Sequence, residues 1–181
     1  MGRGQGQVGM MPRPPKLTVE LVPSNQWGSN LRSILSRGQW NRLRKQSYAK
    51  AGHVCEICGA TGFQQGRNRA VECHEIWHYD DENRIQRLDG VISLCPRCHQ
   101  VKHLGRSLKV GAGRVALAHL MDVNGWAVER TAEYVEGAFV LHEVRSMGHA
   151  WTLDLTWLAS PDSPLSDDEA AAVLEEIGGV A

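Results

Sequence analysis

Nowhere in this chain of 181 residues does an apolar run approach the ~20 residues needed to cross a bilayer. The opening stretch, MGRGQGQVGMMPRPP, has no hydrophobic segment to act as a signal peptide, and position 6 is Gly rather than the Ser or Thr that myristoylation favours. Residues 1–15 read as a flexible leader, no membrane partner is expected, and the expected setting is cytoplasmic and reducing. Acidic side chains are scarce at one end, where residues 1–52 hold Glu20 alone against nine Lys and Arg. Basic ones are scarce at the other, with three against twelve acids in residues 111–181. The formal net charge of zero thus conceals blocks of +8, +1 and −9. Phosphate backbones respond to local patches rather than to the mean, so nucleic-acid contacts are expected in the amino-terminal third.

What is present supports a mixed fold with a real core, since 42% of the residues are apolar. KLTVELVP alternates Leu17, Val19 and Leu21 with polar residues and predicts a strand ended by Pro23. WGSNLRSIL predicts a short helix, and GQWNRLRKQSYAKAG a longer one with Trp40, Leu43, Ser47 and Ala51 on one face and Gly52 as its stop. A helix over GRVALAHLMDVNG should close at Asn124-Gly125. The next should carry Val128, Ala132, Val135, Phe139 and His142 on its apolar face. WTLDLTWL predicts a strand, and SDDEAAAVLEEI carries a capping-box pattern in Ser166 and Glu169. The outer strands, 17–22 and 151–158, are expected to pair or to share one core.

Four of the five cysteines form two Cys-x-x-Cys pairs, Cys55 with Cys58 and Cys95 with Cys98. Each pair sets two thiolates on one tight turn, for which Gly59 and Pro96 suit the backbone. Two such knuckles supply the four-sulfur tetrahedral set that structural zinc favours. In a reducing compartment a disulfide framework is the poorer account, and a redox motif explains one pair but not both. Cys73 is unpaired and reads as a small buried strand residue, a further ligand or redox-sensitive thiol being the alternative.

Between the knuckles lies VECHEIWHYD, where His74, Glu75 and His78 spell His-Glu-x-x-His. On a helix that is the zinc-metalloprotease signature. No third ligand follows at protease spacing, and Val71, Glu72 and Cys73 suit a strand better. The expected order is therefore strand, the turn-rich loop YDDENRIQRLDG, a strand over VISLC, and a helix from CPRCHQVKHLG. On that helix His99 and His103 are four residues apart and share one face. With His74 contributed by the strand, three neutral imidazoles suit a divalent transition metal and leave positions open for water and a phosphate oxygen.

The order knuckle, strand, His, loop, strand, knuckle, helix resembles the HNH endonucleases, the ββα-metal nucleases, over about residues 50 to 106. ECHEI is similar to that family's ExHHI, and LCPRCHQVKH to its LCxxCHxxxH. The resemblance implies an α+β fold, with a ββα-metal core stapled by a four-cysteine zinc site and flanked by helices and short terminal strands. It implies hydrolysis of DNA phosphodiesters, with His74, His99 and His103 on a second divalent ion. Glu75 stands where the family's general-base His is expected, and His78 is the alternative base. Mg2+, Mn2+, Ni2+ and Zn2+ are the candidate ions, and three imidazoles tilt the choice away from Mg2+. The family's middle Asn has no counterpart, because Gly90 occupies its place after Asp89.

On this reading the chain divides into the leader (1–15), a basic strand and helix segment (16–52), the zinc and ββα-metal domain (53–106), a helical extension with a terminal strand (107–160) and an acidic tail (161–181). Arg42, Lys45, Lys50, Lys102 and Arg106 are the expected backbone contacts to DNA, which RNA would also fit, and Trp77 is expected beside the substrate. The rival function is a catalytically inactive HNH-derived zinc module that binds nucleic acid or a protein partner. Segment 162–176 reads as a solvated acidic helix, with an acidic surface for a protein partner or a cover over the basic face as the alternatives.

Overall fold

The computed structural model describes residues 14–178, so the expected leader falls almost wholly outside the described residues. Within them the chain is mixed α+β, with seven α-helices and one three-stranded sheet. In chain order the elements are α1 (Leu31–Ile34), α2 (Arg37–Lys50), β1 (Glu72–Asp80), β2 (Ile85–Leu94), α3 (Pro96–Lys102), α4 (Leu104–Lys109), α5 (Gly113–Asn124), α6 (Val128–Ser146), β3 (Thr152–Asp154) and α7 (Asp167–Glu176). β1 and β2 form an antiparallel hairpin, and β3 adds a short parallel rung outside β2.

The hairpin turns on four residues where a longer loop was expected. Asp80 Oδ1 accepts from the amides of Glu82 (3.1 Å) and Asn83 (3.0 Å), and Arg84 takes a φ of 58°. β2 therefore begins at Ile85. Its first inward positions are Gln86 and Leu88, and the polar side chain at one of them hides the strand period from the sequence. Asp89 is the extra residue of a bulge, since Ile76 faces Gly90 while Trp77 faces Leu88. Gly90 takes a φ of 151° there, a conformation that residues with a Cβ rarely adopt.

Local signals set most helix ends. Ser36 with Gln39, and Ser166 with Glu169, form capping boxes that start α2 and α7. α5 stops at Gly125, whose φ of 65° completes the expected Asn-Gly ending. On α6 the inward face is Thr131, Tyr134, Val135, Ala138 and Phe139, whereas Val128 and Ala132 are exposed. Thr131 can be buried because its hydroxyl donates to the Ala127 carbonyl at 2.9 Å, and this shifts the buried stripe from the purely apolar one expected.

The bulge lets β2 feed two cores. Ile92 and Leu94 join Leu17, Val19, Val101, Leu104 and Leu120 around the cysteines. Leu88 and Val91 join Leu31, Leu43, Leu155 and Leu158 beneath α2 and α7. Cutting one such fully buried Leu back to Ala costs about 2–5 kcal/mol.

The outer strands do not pair, contrary to expectation. Residues 17–22 form no ladder, because their polar groups are taken by helices. The Lys16 and Leu17 amides donate to Asn124 Oδ1 at 2.8 and 3.1 Å, and the Glu20 amide to the Lys102 carbonyl at 2.9 Å. At the other end only Thr152–Asp154 is strand, since Asp154 Oδ1 takes the Thr156 amide at 2.9 Å and the chain coils into a 3₁₀ turn over Thr156–Ala159. The two segments lie in different cores.

Candidate metal centres

The first cysteine pair follows α2, where Gly52 and His53, both at a φ of 60°, turn the chain. The Gly59 amide returns to the Cys55 carbonyl at 2.8 Å and closes the knuckle. The second knuckle is the start of α3, with Cys95 as cap and Pro96 as first helical residue. Cys58 Sγ lies 3.6 Å from the sulfurs of both Cys95 and Cys98, and Cys55 completes the group. A tetrahedral zinc at ~2.3 Å from each sulfur needs sulfur pairs about 3.8 Å apart, so the set fits with little movement. Hydrogen bonds from Cys95 and Cys98 draw the Cys55 thiol far down, burial pushes Cys58 up to about 11, and the bonds to Cys55 and Cys95 push Cys98 up strongly. Thiols this close cannot all ionise without a cation among them, which is the behaviour expected of zinc ligands. His119 of α5 adds a contact that local spacing does not announce, its Nε2 lying 3.2 Å from Cys98 Sγ.

The second cluster joins β1 to α3. The His103 amide donates to the His99 carbonyl at 3.1 Å, so the helical turn persists through His103 and both rings face His74. Ring centroids are 5.2 Å apart for His74 and His99, 4.8 Å for His74 and His103, and 4.7 Å for His99 and His103. One nitrogen from each ring lies within 4.8 Å of the others. An ion held by imidazoles at ~2.1 Å needs nitrogens roughly 3–4 Å apart, which small ring movements supply.

Two carboxylates orient these rings, and neither was singled out from the sequence. His74 Nε2 donates to Glu20 Oε2 at 2.8 Å, which leaves Nδ1 buried and without a hydrogen-bond partner. His99 Nδ1 donates to Glu72 Oε2 at 2.5 Å, which leaves its Nε2 free for a ligand. Arg69 holds the other oxygen of Glu72 at 2.5 Å, and Lys102 holds the other oxygen of Glu20. Carboxylate–imidazole pairs of this kind fix the tautomer and aim of metal-binding histidines. The bond from His99 keeps the Glu72 carboxyl below its usual range. For Glu20 burial pulls upward, but His74 and Lys102 together outweigh it. Burial, then the neighbouring His74 and His99, lowers His103 to about 3, so its ring is neutral near pH 7. A neutral His103 beside the orphaned, buried Nδ1 of His74 fits a divalent transition ion.

The alternation of β1 separates Glu75 from this cluster. Glu72 and His74 face α3, while Glu75 turns the other way and accepts from the Leu31 amide at 3.1 Å, at the start of α1. His78 is exposed and, at ~3.3 Å per strand residue, sits about 13 Å along from His74. The two cannot share one ion, so the His-Glu-x-x-His pattern lacks metalloprotease geometry. Trp77 packs into the second core and not beside the imidazoles. Cys73 is buried, and burial followed by the charge of Glu75 pushes its thiol up to about 12, as an inert strand residue requires.

His99 and His103 line a cleft of about 1000 Å³. Arg32 of α1, Arg37 and Arg44 of α2, Arg67 and Arg69 of the loop before β1, and Arg106 of α4 surround it, against Glu72 as its one acid. Among the basic residues expected to meet DNA, Arg106 lines this cleft and the other four do not. Lys102 is only 7% exposed, and its Nζ donates to Glu20 and to Thr18 Oγ1 (2.8 Å), so it is an internal counter-ion and not a surface contact. Arg42 pairs with Glu169, Lys50 pairs with Asp162 at 3.3 Å, and Lys45 is exposed away from the cleft. The acidic segment therefore lies along one flank of α2, and none of its residues lines the cleft.

No protein-family model, curated protein or solved structure matches this chain. No helix among the described residues is long and apolar enough to cross a membrane.

Proposed function

We propose that the chain is a metal-dependent endonuclease of the HNH type that hydrolyses DNA phosphodiesters. The observation that carries this reading is the convergence of His74, His99 and His103 beside a cleft lined by six arginines. Guanidinium forks match phosphate oxygens in pairs, so the arginines would hold the strand across the imidazoles. Glu20 and Glu72 keep the rings aimed, and the four-cysteine site, with structural zinc, holds α3 against the hairpin. A divalent ion bound by the three histidines would supply charge to the attacked phosphate and the departing 3′ oxygen. Glu75, at the position of the family's base, would take the proton of the attacking water only after leaving the Leu31 amide and swinging from the α1 side of β1 round to the imidazoles.

A second reading has its own observation. With Glu75 engaged at α1, the cleft can serve as a binding surface of an HNH-derived zinc module that does not cleave. Nicking of supercoiled plasmid with Mn2+, Ni2+ or Mg2+ separates the two. The nuclease reading expects cleavage by the wild type, its loss in His74→Ala and His99→Ala, and a fall of roughly 10²-fold or more in Glu75→Gln, which keeps the acceptor but cannot take a proton. Cleavage surviving both histidine substitutions overturns it. Salt-sensitive DNA binding without cleavage under any of these ions supports the binding module.

A further inference from the structure

We propose that Glu20, which lies outside the segment that resembles a nuclease, is the positioning residue for His74. Metal binding at the histidine cluster then depends on docking of the arm at residues 16–23. The inference rests on reading His74, His99 and His103 as a metal site.

Glu20 is delivered to His74 by a series of fixed points. The Asn124 side chain clamps the arm from both sides, accepting from the Lys16 and Leu17 amides and donating to the Leu17 carbonyl at 2.9 Å. The Val19 amide donates to Tyr134 Oη at 3.0 Å, and the Glu20 amide to the Lys102 carbonyl at 2.9 Å. Leu17 and Val19 are buried in the core that holds the cysteines. The carboxylate then divides its work, with Oε2 on His74 Nε2 and Oε1 on the ammonium of Lys102. Lys102 is itself tied to Thr18 of the same arm, so the acceptor for His74 has little freedom to leave.

The consequence for His74 is chemical. Its ring is almost fully buried, and Glu20 is its hydrogen-bond partner. With the proton held on Nε2, the lone pair stays on Nδ1, the atom left without a partner beside His99 and His103. Without Glu20 the proton is free to sit on Nδ1, and an ion must displace it before binding. Loss of such a supporting carboxylate typically weakens metal binding 10–100-fold. A purely structural ion pair between Glu20 and Lys102 would leave metal affinity alone.

The test is calorimetric titration of the chain, zinc-loaded at its cysteines, with Ni2+. Glu20→Ala alone strands a buried ammonium and risks unfolding, so two other variants are used. Glu20→Gln keeps the shape and an acceptor without the charge, and Glu20→Ala with Lys102→Met removes both charges. One nickel per wild-type chain is expected, bound 10–100-fold more weakly by the double variant and at an intermediate level by Glu20→Gln. Zinc content should be unchanged, and nitrogen-15 spectra should show His74 losing its single Nε2–H tautomer. Wild-type binding with both variants unchanged overturns this inference alone. A wild type that takes up no nickel overturns the metal-site reading, and this inference with it.

Discussion

Lys102 and Arg106 sit four residues apart in one basic run, yet the structure assigns them opposite roles, and replacing each with Ala tests that assignment. The Lys102 side chain is 9% exposed and lies against Glu20, whose side chain is 25% exposed. Removing one partner of a buried pair costs about 3–5 kcal/mol. Water reaching Glu20 relieves part of this, which leaves about 2–3 kcal/mol for Lys102→Ala. At roughly 2–4 °C per kcal/mol for a chain of this size, melting should fall by about 4–12 °C. Arg106 is exposed and lines the cleft, so Arg106→Ala should change stability by no more than about 0.5 kcal/mol. It should instead lower the slope of log affinity against log salt by about one phosphate contact. Differential scanning fluorimetry and anisotropy of labelled DNA across a salt series measure both quantities. A Lys102→Ala chain that melts like the wild type and loses a unit of salt slope would refute the buried counter-ion assignment.

Cys98→Ser should release the zinc and unfold much of the core around it, because Cys98 is buried among Leu94, Val101 and Leu104. Colorimetric zinc release should coincide with loss of helical circular dichroism, and retained zinc would count against the four-sulfur site. Tyr79→Phe removes a buried hydroxyl that has no hydrogen-bond partner, so stability should hold or rise by about 1 kcal/mol in urea titration. Burial also pushes the Tyr79 phenol above its usual value. Its contribution is thus present below pH ~10 and is lost as pH rises further, a decline that Tyr79→Phe should flatten. Gly62→Ala would set a Cβ 2.2 Å from the Arg69 carbonyl oxygen and 3.0 Å from the Pro96 ring. A loss of about 1–3 kcal/mol or more is expected, with weaker DNA binding as Arg67 and Arg69 shift, and an unperturbed melting curve would count against that packing.

What the sequence determined by itself is what operates over a few residues. The two cysteine knuckles, the capping boxes at Ser36 and Ser166, the Asn124-Gly125 stop and the four-residue spacing of His99 and His103 all depend on one or two turns of backbone. The hairpin was legible in order but not in extent, because the inward Gln86 breaks the apolar alternation that marks a strand. Tertiary structure alone decided which distant groups meet. Glu20 reaches His74 across 54 residues, His119 reaches Cys98 across 21, and the arginines around the cleft come from four separate segments. It also decided which charges face solvent: Lys102 looks like a surface base in sequence yet lies inside, and Glu75 follows His74 yet points away from it. The reason is physical. Backbone geometry over one turn is nearly independent of context, whereas the direction of a side chain and the partner it finds depend on how whole elements pack.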